Sequence, residues 1–259
     1  MPFETLHRQG ELDPYRAYER IVRQGRGGIC FHLNGAFALL LRALGYQVSM
    51  HPAGVQSIFN PTPIGPVGTH AVLTVDALPT LDNPDGRWIL DVGSGEGFTR
   101  PLPFMAGEYQ QGEFCFRVSP SECGPGLWRV DYDRRHSCRG VDFSTELVEP
   151  QEFTRRYLEQ IDGELSLFFR YGWVKRCDAT GFDELVGCMR SRVDSRGRTS
   201  SKITTFEEFF TVLGEVFHLT LDGLTGAQRL ALWQRVREAW ESKSLPKEMP
   251  VPPQELVAR

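Results

Sequence analysis

Several features are scarce in this sequence, and each scarcity removes a class of protein. There is no long apolar run: the longest, Gly35 to Leu41, falls far short of the roughly 20 residues that a membrane-spanning helix needs. Met1-Pro2-Phe3-Glu4-Thr5-Leu6 has neither a positive n-region nor an apolar h-region, so the default location is the cytoplasm. No basic run is dense, and the formal net charge is −4, so nothing electrostatic points to nucleic acid or to an anionic membrane surface. No CxxC pair exists. The cysteines at 30, 115, 123, 138, 177 and 188 match no zinc spacing, and no metal is expected. A chain of 259 residues does not need disulfide staples, so most of these thiols read as reduced and unpaired. What remains is ordinary for a soluble globular protein. At 41% hydrophobic residues the chain can fill one large core or roughly two to three smaller ones.

The pattern along the chain changes twice. Glu11 to Gln24 carries helical spacing behind an Asp13-Pro14 start, and Gln24-Gly25-Arg26-Gly27-Gly28 breaks it. A second helix is predicted from about Cys30 to Leu44, stopped by Gly45, with Leu33, Phe37, Leu40, Leu41 and Leu44 on one stripe. From Tyr46 to about Val130, short β-type runs alternate with Pro/Gly punctuation: Gln47 to His51, His70 to Val75, Arg87 to Val92, Glu113 to Val118 and Leu127 to Tyr132. These read as an antiparallel sheet or small barrel. Phe153 to Gln160 reads as a helix, and a strand-like stretch runs from Phe168 to Cys177. The polar Arg190 to Ser201 reads as a hairpin tip or loop, helices follow at Thr205 to Val216 and Thr225 to Ser242, and the proline-rich Leu245 to Pro253 reads as extended. The outline is α+β.

Cys30 has an unusual setting. Gly27 and Gly28 permit a tight turn and a close approach. A thiol in the first turn of a helix faces open N–H groups and the positive end of the dipole, both of which favour thiolate. The competing reading is a small buried hydrophobe. A nucleophile needs a base, and the base needs an orienting group. His70 lies on a strand where alternation puts His70, Val72 and Thr74 on one face. Trp88-Ile89-Leu90-Asp91-Val92 is the next strand, joined through the turn Asn83-Pro84-Asp85-Gly86 as a hairpin. The midpoint between positions 70 and 91 falls inside that connection, so the two side chains can lie close. Taken singly, each of these two residues also fits a structural role.

Arg26-Gly27-Gly28-Ile29-Cys30-Phe31, with Asn34 four after the cysteine, resembles the nucleophile motif of the arylamine N-acetyltransferases. Thr69-His70 is similar to the threonine-histidine strand of that family. Asp91-Val92-Gly93-Ser94-Gly95 is similar to its aspartate-x-glycine-x-glycine segment, and Phe98-Thr99-Arg100-Pro101-Leu102 continues the likeness. The likeness runs from about Pro2 to Phe104. It implies a helical unit holding the nucleophile over residues 1–45, a β-barrel over 46–165 and an α/β lid over 166–259, with a triad like that of the cysteine proteases. It also implies Cys30, His70 and Asp91 as catalytic residues and acetyl-CoA as acyl donor. The acceptor would be the nitrogen of an arylamine or hydrazine. Thr69, Gly93, Ser94 and Gly95 would flank the thioester, with Phe31 and Ser94 at the substrate.

Three departures accompany the likeness. The family carries further helical residues ahead of the segment matching Pro2-Phe3-Glu4-Thr5-Leu6, so the first unit is expected to be shortened. His32 stands where many members have glutamate, as a surface or second-layer change or as a change to the acyl pocket. Ser94 replaces a phenylalanine common in bacterial members and would suit a bulkier acyl group or acceptor. Other readings stay open. An amide synthase on the same scaffold would take a longer acyl thioester from a carrier protein, and a non-catalytic relative would only bind. Ile89 to Gly97 also resembles the glycine loop of S-adenosylmethionine methyltransferases, but that fold needs a helix after the glycines, where Pro101 and Pro103 stand. Trp233 and Trp240 read as packing residues, and Arg190 to Arg198 as a solvated loop or a contact for CoA phosphates.

Overall fold

A computed structural model describes residues 1–7, 12–58, 60, 62–162 and 165–242. The chain opens with a short strand, β1 (Phe3–Glu4), followed by α1 (Pro14–Gln24) and α2 (Cys30–Ala43). The Asp13 carboxylate caps α1 by accepting from the amides of Tyr15 and Arg16, and Pro14 sits where a missing N–H costs nothing. Gly25, at φ +60°, ends the helix in the left-handed region that glycine tolerates best.

Eight antiparallel strands follow: β2 (Gln47–Ser57), β3 (His70–Asp76), β4 (Trp88–Leu90), β5 (Leu102–Pro103), β6 (Gly107–Gln111), β7 (Phe114–Pro120), β8 (Leu127–Asp131) and β9 (Cys138–Ser144). They form one sheet in the order β5-β4-β3-β2-β9-β8-β7-β6. The sheet curls into a nearly closed barrel. At its seam the Gln111 side chain accepts from the amides of Thr99 and Arg100 and donates to the Arg100 carbonyl at 2.8 Å, bridging the open edges. Val72, Ile89, Phe116, Val130, Val141 and Phe143 fill the interior. The period-two rule then decides β3: Ala71, Leu73 and Val75 face outward to the helices, where Leu73 and Val75 pack with Ala38 of α2, and His70, Val72 and Thr74 take the other face.

After α3 (Pro150–Asp162) and α4 (Leu165–Tyr171) comes a second antiparallel sheet. Its strands β10 (Trp173–Cys177), β11 (Phe182–Val186), β12 (Met189–Asp194) and β13 (Gly197–Lys202) are joined at the edge by β1, in the order β1-β10-β11-β12-β13. Helices α5 (Phe206–Glu215) and α6 (Gly226–Glu241) cover one face, around Leu6, Val174, Phe209, Phe217, Trp233 and Val236.

The fold is α+β with an antiparallel barrel, as the strand and helix texture predicts. Two segments differ from expectation. The stretch after Phe168 does not enter a strand directly: Leu165–Tyr171 is helical, Gly172 at φ +68° breaks it, and the strand begins at Trp173. Arg190 to Ser201 is not loop but two paired strands, β12 and β13, whose inward Ser191 and Val193 are buried and whose arginines face acids. Trp233 is core, and Trp240 packs partly buried against the same cluster. The proline-rich stretch from Leu245 lies outside the described residues.

Candidate active site

Cys30 is the first residue of α2, and the residues before it explain its placement. The Arg26 guanidinium grips the buried Glu4 carboxylate at 2.8 and 3.0 Å. Gly28 accepts the Glu4 amide at 3.0 Å. A Cβ on Gly27 would stand 1.9 Å from the Pro2 carbonyl oxygen, so only glycine lets the two segments touch. The arginine-glycine-glycine run thus clamps the start of α2 onto β1. Cys30 is buried, with its thiol 3.9 Å from the Thr69 carbonyl oxygen. Ile29, the N-cap, offers no side-chain acceptor to the first turn.

The hairpin brings the other two residues to the same place. Leu73 pairs with Leu90 and Thr74 with Ile89, so Asp91 falls on the same barrel face as His70 and diagonal to it. His70 Nε2 lies 2.7 Å from Asp91 Oδ2, and Cys30 is near enough to the same imidazole to act on its pKa. Asn34, one turn after Cys30 on α2, donates to Asp91 Oδ1 at 2.9 Å and to the Ala71 carbonyl at 2.7 Å, and accepts the Val92 amide at 3.0 Å. The Gly93 amide donates to Asp91 Oδ1 at 2.8 Å. Burial alone would lower the pKa of His70. The Asp91 carboxylate and then Cys30 outweigh it and hold the imidazole well above its ordinary value. Burial would raise Asp91, but His70, Asn34 and the Gly93 amide together hold it below the usual carboxylate range.

The glycine loop after Asp91 ties three parts of the molecule together. A Cβ on Gly93 would lie 2.7 Å from Cys30 Cα, and one on Gly95 would lie 2.7 Å from the Cβ atoms of both Phe3 and Lys175. Thr69 and Gly93 therefore sit against Cys30. Ser94 Oγ turns toward the Glu96 amide at 3.3 Å, Gly95 is pressed between β1 and β10, and Phe31 is buried edge-on to Phe153 and Tyr157. No helix follows the loop, and its neighbouring strands are antiparallel, which is not the setting of a methyltransferase glycine loop. A cavity of about 920 Å³ beside Phe37, Leu41, Trp88 and Tyr109 is lined by none of Cys30, His70 and Asp91.

Two elements of the site escape the motif reading. The first is the work done by Asn34, which the Cys30–Asn34 spacing of one helical turn already signals. The second is a buried charge chain: Lys175 Nζ lies 2.5 Å from Glu96 and 3.1 Å from Glu184, and Arg198 lies 2.9 Å from Glu184. Nothing local in the sequence pairs residue 96 with residue 175.

The fold and this cluster of thiol, imidazole and carboxylate define a class of protein, and comparison with known proteins gives it a family. The sequence model of a family described as N-acetyltransferase matches residues 1–225, and the chain belongs to that family. A Salmonella typhimurium relative, arylamine N-acetyltransferase / N-hydroxyarylamine O-acetyltransferase, is 36% identical over 124 residues, 43% of this chain and 38% of that protein. Bovine arylamine N-acetyltransferase 1 is 30% identical over 166 residues, 61% of this chain and 54% of that protein. The chain thus spans about half or less of the length of these two relatives. Among solved structures, the Mycobacterium marinum arylamine N-acetyltransferase in complex with CoA superimposes with a TM-score of 0.76 at 21% identity, over 92% of this chain and 88% of that one.

Proposed function

We propose that the protein transfers an acetyl group from acetyl-CoA to the nitrogen of an arylamine or hydrazine in two half-reactions, through a thioester on Cys30. In the first, the Cys30 sulfur bonds to the acyl carbon, the carbon–sulfur bond of CoA breaks, and His70 passes the thiol proton to the departing CoA sulfur. In the second, the amine nitrogen attacks the acyl carbon, the Cys30 thioester breaks, and His70 carries the amine proton back to sulfur. Asp91 fixes the imidazole tautomer and favours its charged form without itself taking the proton. Thr69, Gly93, Ser94 and Gly95 flank the thioester, and residues 1–45, 46–165 and 166–259 act as nucleophile unit, barrel and lid in the cytoplasm.

The observation that carries this reading is one imidazole that pairs with the Asp91 carboxylate at 2.7 Å and is raised in pKa by both Asp91 and Cys30. Family membership and the curated relatives' names support the acyl and acceptor classes. Mass spectrometry after incubation with acetyl-CoA tests it. An acetyl adduct is expected on Cys30 of the wild type and absent from Cys30→Ala. An adduct elsewhere, or none with any acyl thioester, overturns the reading.

A further inference from the structure

The cavity of about 920 Å³ lies outside the barrel, between α2 and the seam where β5 and β6 leave the sheet unpaired. From α2 come Phe37, Leu41 and Leu44, whose spacing of four and three residues puts them on one helix face. Val75, Leu90 and Leu102 of β3, β4 and β5 are buried and form its floor. Crossing those three strands takes about 10 Å at the usual strand spacing, so the hollow has the reach of an extended chain. Leu44, Tyr46 and Leu78 line its mouth and are 65%, 41% and 39% exposed. Large apolar side chains left open around an apolar hollow mark a place where something apolar binds, and the volume is that of a small-molecule site.

The polar groups of the lining decide what head the chain must carry. Most are spent within the protein. Trp88 Nε1 donates to the Leu78 carbonyl at 2.9 Å, the Tyr109 hydroxyl to the Met105 carbonyl at 2.8 Å and the Gln110 amide to the Gly112 carbonyl at 2.8 Å. Gln111 is held by the backbone of Thr99 and Arg100, and the Thr80 hydroxyl accepts the Asn83 amide at 3.1 Å. Two charged side chains also line the hollow, Arg100 and Glu108, both exposed. Glu108 stands directly opposite Arg117 in the β6–β7 pairing, so its charge has a counterion beside it. Arg100 has no ion pair among the described residues, and its guanidinium reaches only the Gln110 carbonyl, at 3.4 Å. An apolar hollow with one unmatched guanidinium at its border suits a molecule with an apolar tail and an anionic head. Arginine takes a carboxylate with two parallel hydrogen bonds.

We infer that this cavity binds an alkyl carboxylate, its chain laid between α2 and the outer face of β4 and its head on Arg100. The ligand takes no part in the thioester chemistry, and the site stands whether or not Cys30 is acylated. Its two walls lead to the triad cluster: α2 begins at Cys30, and Asp91 follows β4. The bound chain therefore bridges the elements that carry both residues. An alkylammonium of equal length meets Arg100 with like charge and is disfavoured.

The test uses the full chain labelled with fluorotryptophan and titrated with dodecanoate, octanoate and dodecylammonium, each below its micelle concentration. The Trp88 fluorine resonance is assigned by its loss in Trp88→Phe. Dodecanoate is expected to shift that resonance saturably. Octanoate, which buries four fewer methylenes, and dodecylammonium are each expected to bind at least tenfold more weakly. Arg100→Glu, an exposed change, is expected to weaken dodecanoate at least tenfold and to tighten dodecylammonium. A Trp88 resonance that dodecanoate leaves unmoved, or an Arg100→Glu protein that binds dodecanoate unchanged, overturns the site. So does a concentration-dependent dimer in sedimentation that Leu44→Glu abolishes, because a second copy would then cover this face.

Discussion

At the scale of single residues, Asp91 is held by three partners. His70 takes one oxygen, while Asn34 and the Gly93 amide take the other. Asn34→Ala removes a hydrogen bond to an ionised group, worth about 1.5–3 kcal/mol. If this bond holds Asp91 in its working orientation, kcat/KM for acyl transfer should fall roughly 10- to 100-fold. Steady-state kinetics check this, and an unchanged kcat/KM would remove Asn34 from the site. The same cluster sets a pH dependence of stability. The folded pKa of His70 is raised, so its contribution is complete below the unfolded value of about 6.5 and is lost as pH rises through the folded one. That of Asp91 is lowered, so its contribution is present above about 3.9 and is lost as pH falls through the folded value. Wild-type Tm should therefore decline as pH climbs above about 6.5. His70→Gln should flatten that limb, and an identical slope in both proteins would contradict the pairing.

At the scale of elements, the site depends on a helix start and a hairpin being pressed together by a residue without a side chain. Gly93→Ala puts a methyl 2.6 Å from Asn34 Nδ2 and 2.7 Å from Cys30 Cα. Overpacking of this kind costs about 1–3 kcal/mol. Urea unfolding should show that loss, and the acetylation rate of Cys30 should fall more steeply than stability does. Equal falls would mean that the contact serves the fold alone. Much of this level was legible in the sequence. Asp13-Pro14 and Gly25 bound α1, Gly45 follows α2, and the Asn83-Pro84-Asp85-Gly86 turn marks the hairpin that aligns His70 with Asp91. Other elements were hidden for physical reasons. β5 is only two residues long, and the buried positions of β12 alternate with arginines satisfied by Asp183, so the segment reads as solvated polar chain. The helix Leu165–Tyr171 carries apolar and aromatic residues that suit a buried strand equally well.

At the scale of the whole molecule, the barrel and the second sheet meet through buried charge. Glu96 sits in the glycine loop, Lys175 and Glu184 on adjacent strands of the other sheet, and each carboxylate has Lys175 as a partner. Lys175 stays charged although buried. Desolvation would lower its pKa, but Glu96 and then Glu184 raise it. Lys175→Met strands one fully buried carboxylate and leaves Glu184 with Arg198. The expected destabilisation is about 3–5 kcal/mol. Denaturant titration reads it directly, and a variant as stable as the wild type would show the bridge to be dispensable. Pairings of this kind join residues too far apart in the chain for local pattern to suggest, and for that reason the motifs pointed to Cys30, His70 and Asp91 but not to the contacts that brace them.

The β1 edge strand has a consequence for the order in which the protein assembles. Its residues pair with β10, and the Thr5 hydroxyl accepts the amide of Trp173 across a separation of 168 positions. A ribosome therefore releases the clamp that seats Cys30 well before the strand that locks this clamp. Until then, α2 leans on a ribbon with one side unpaired. Such distant closure slows folding.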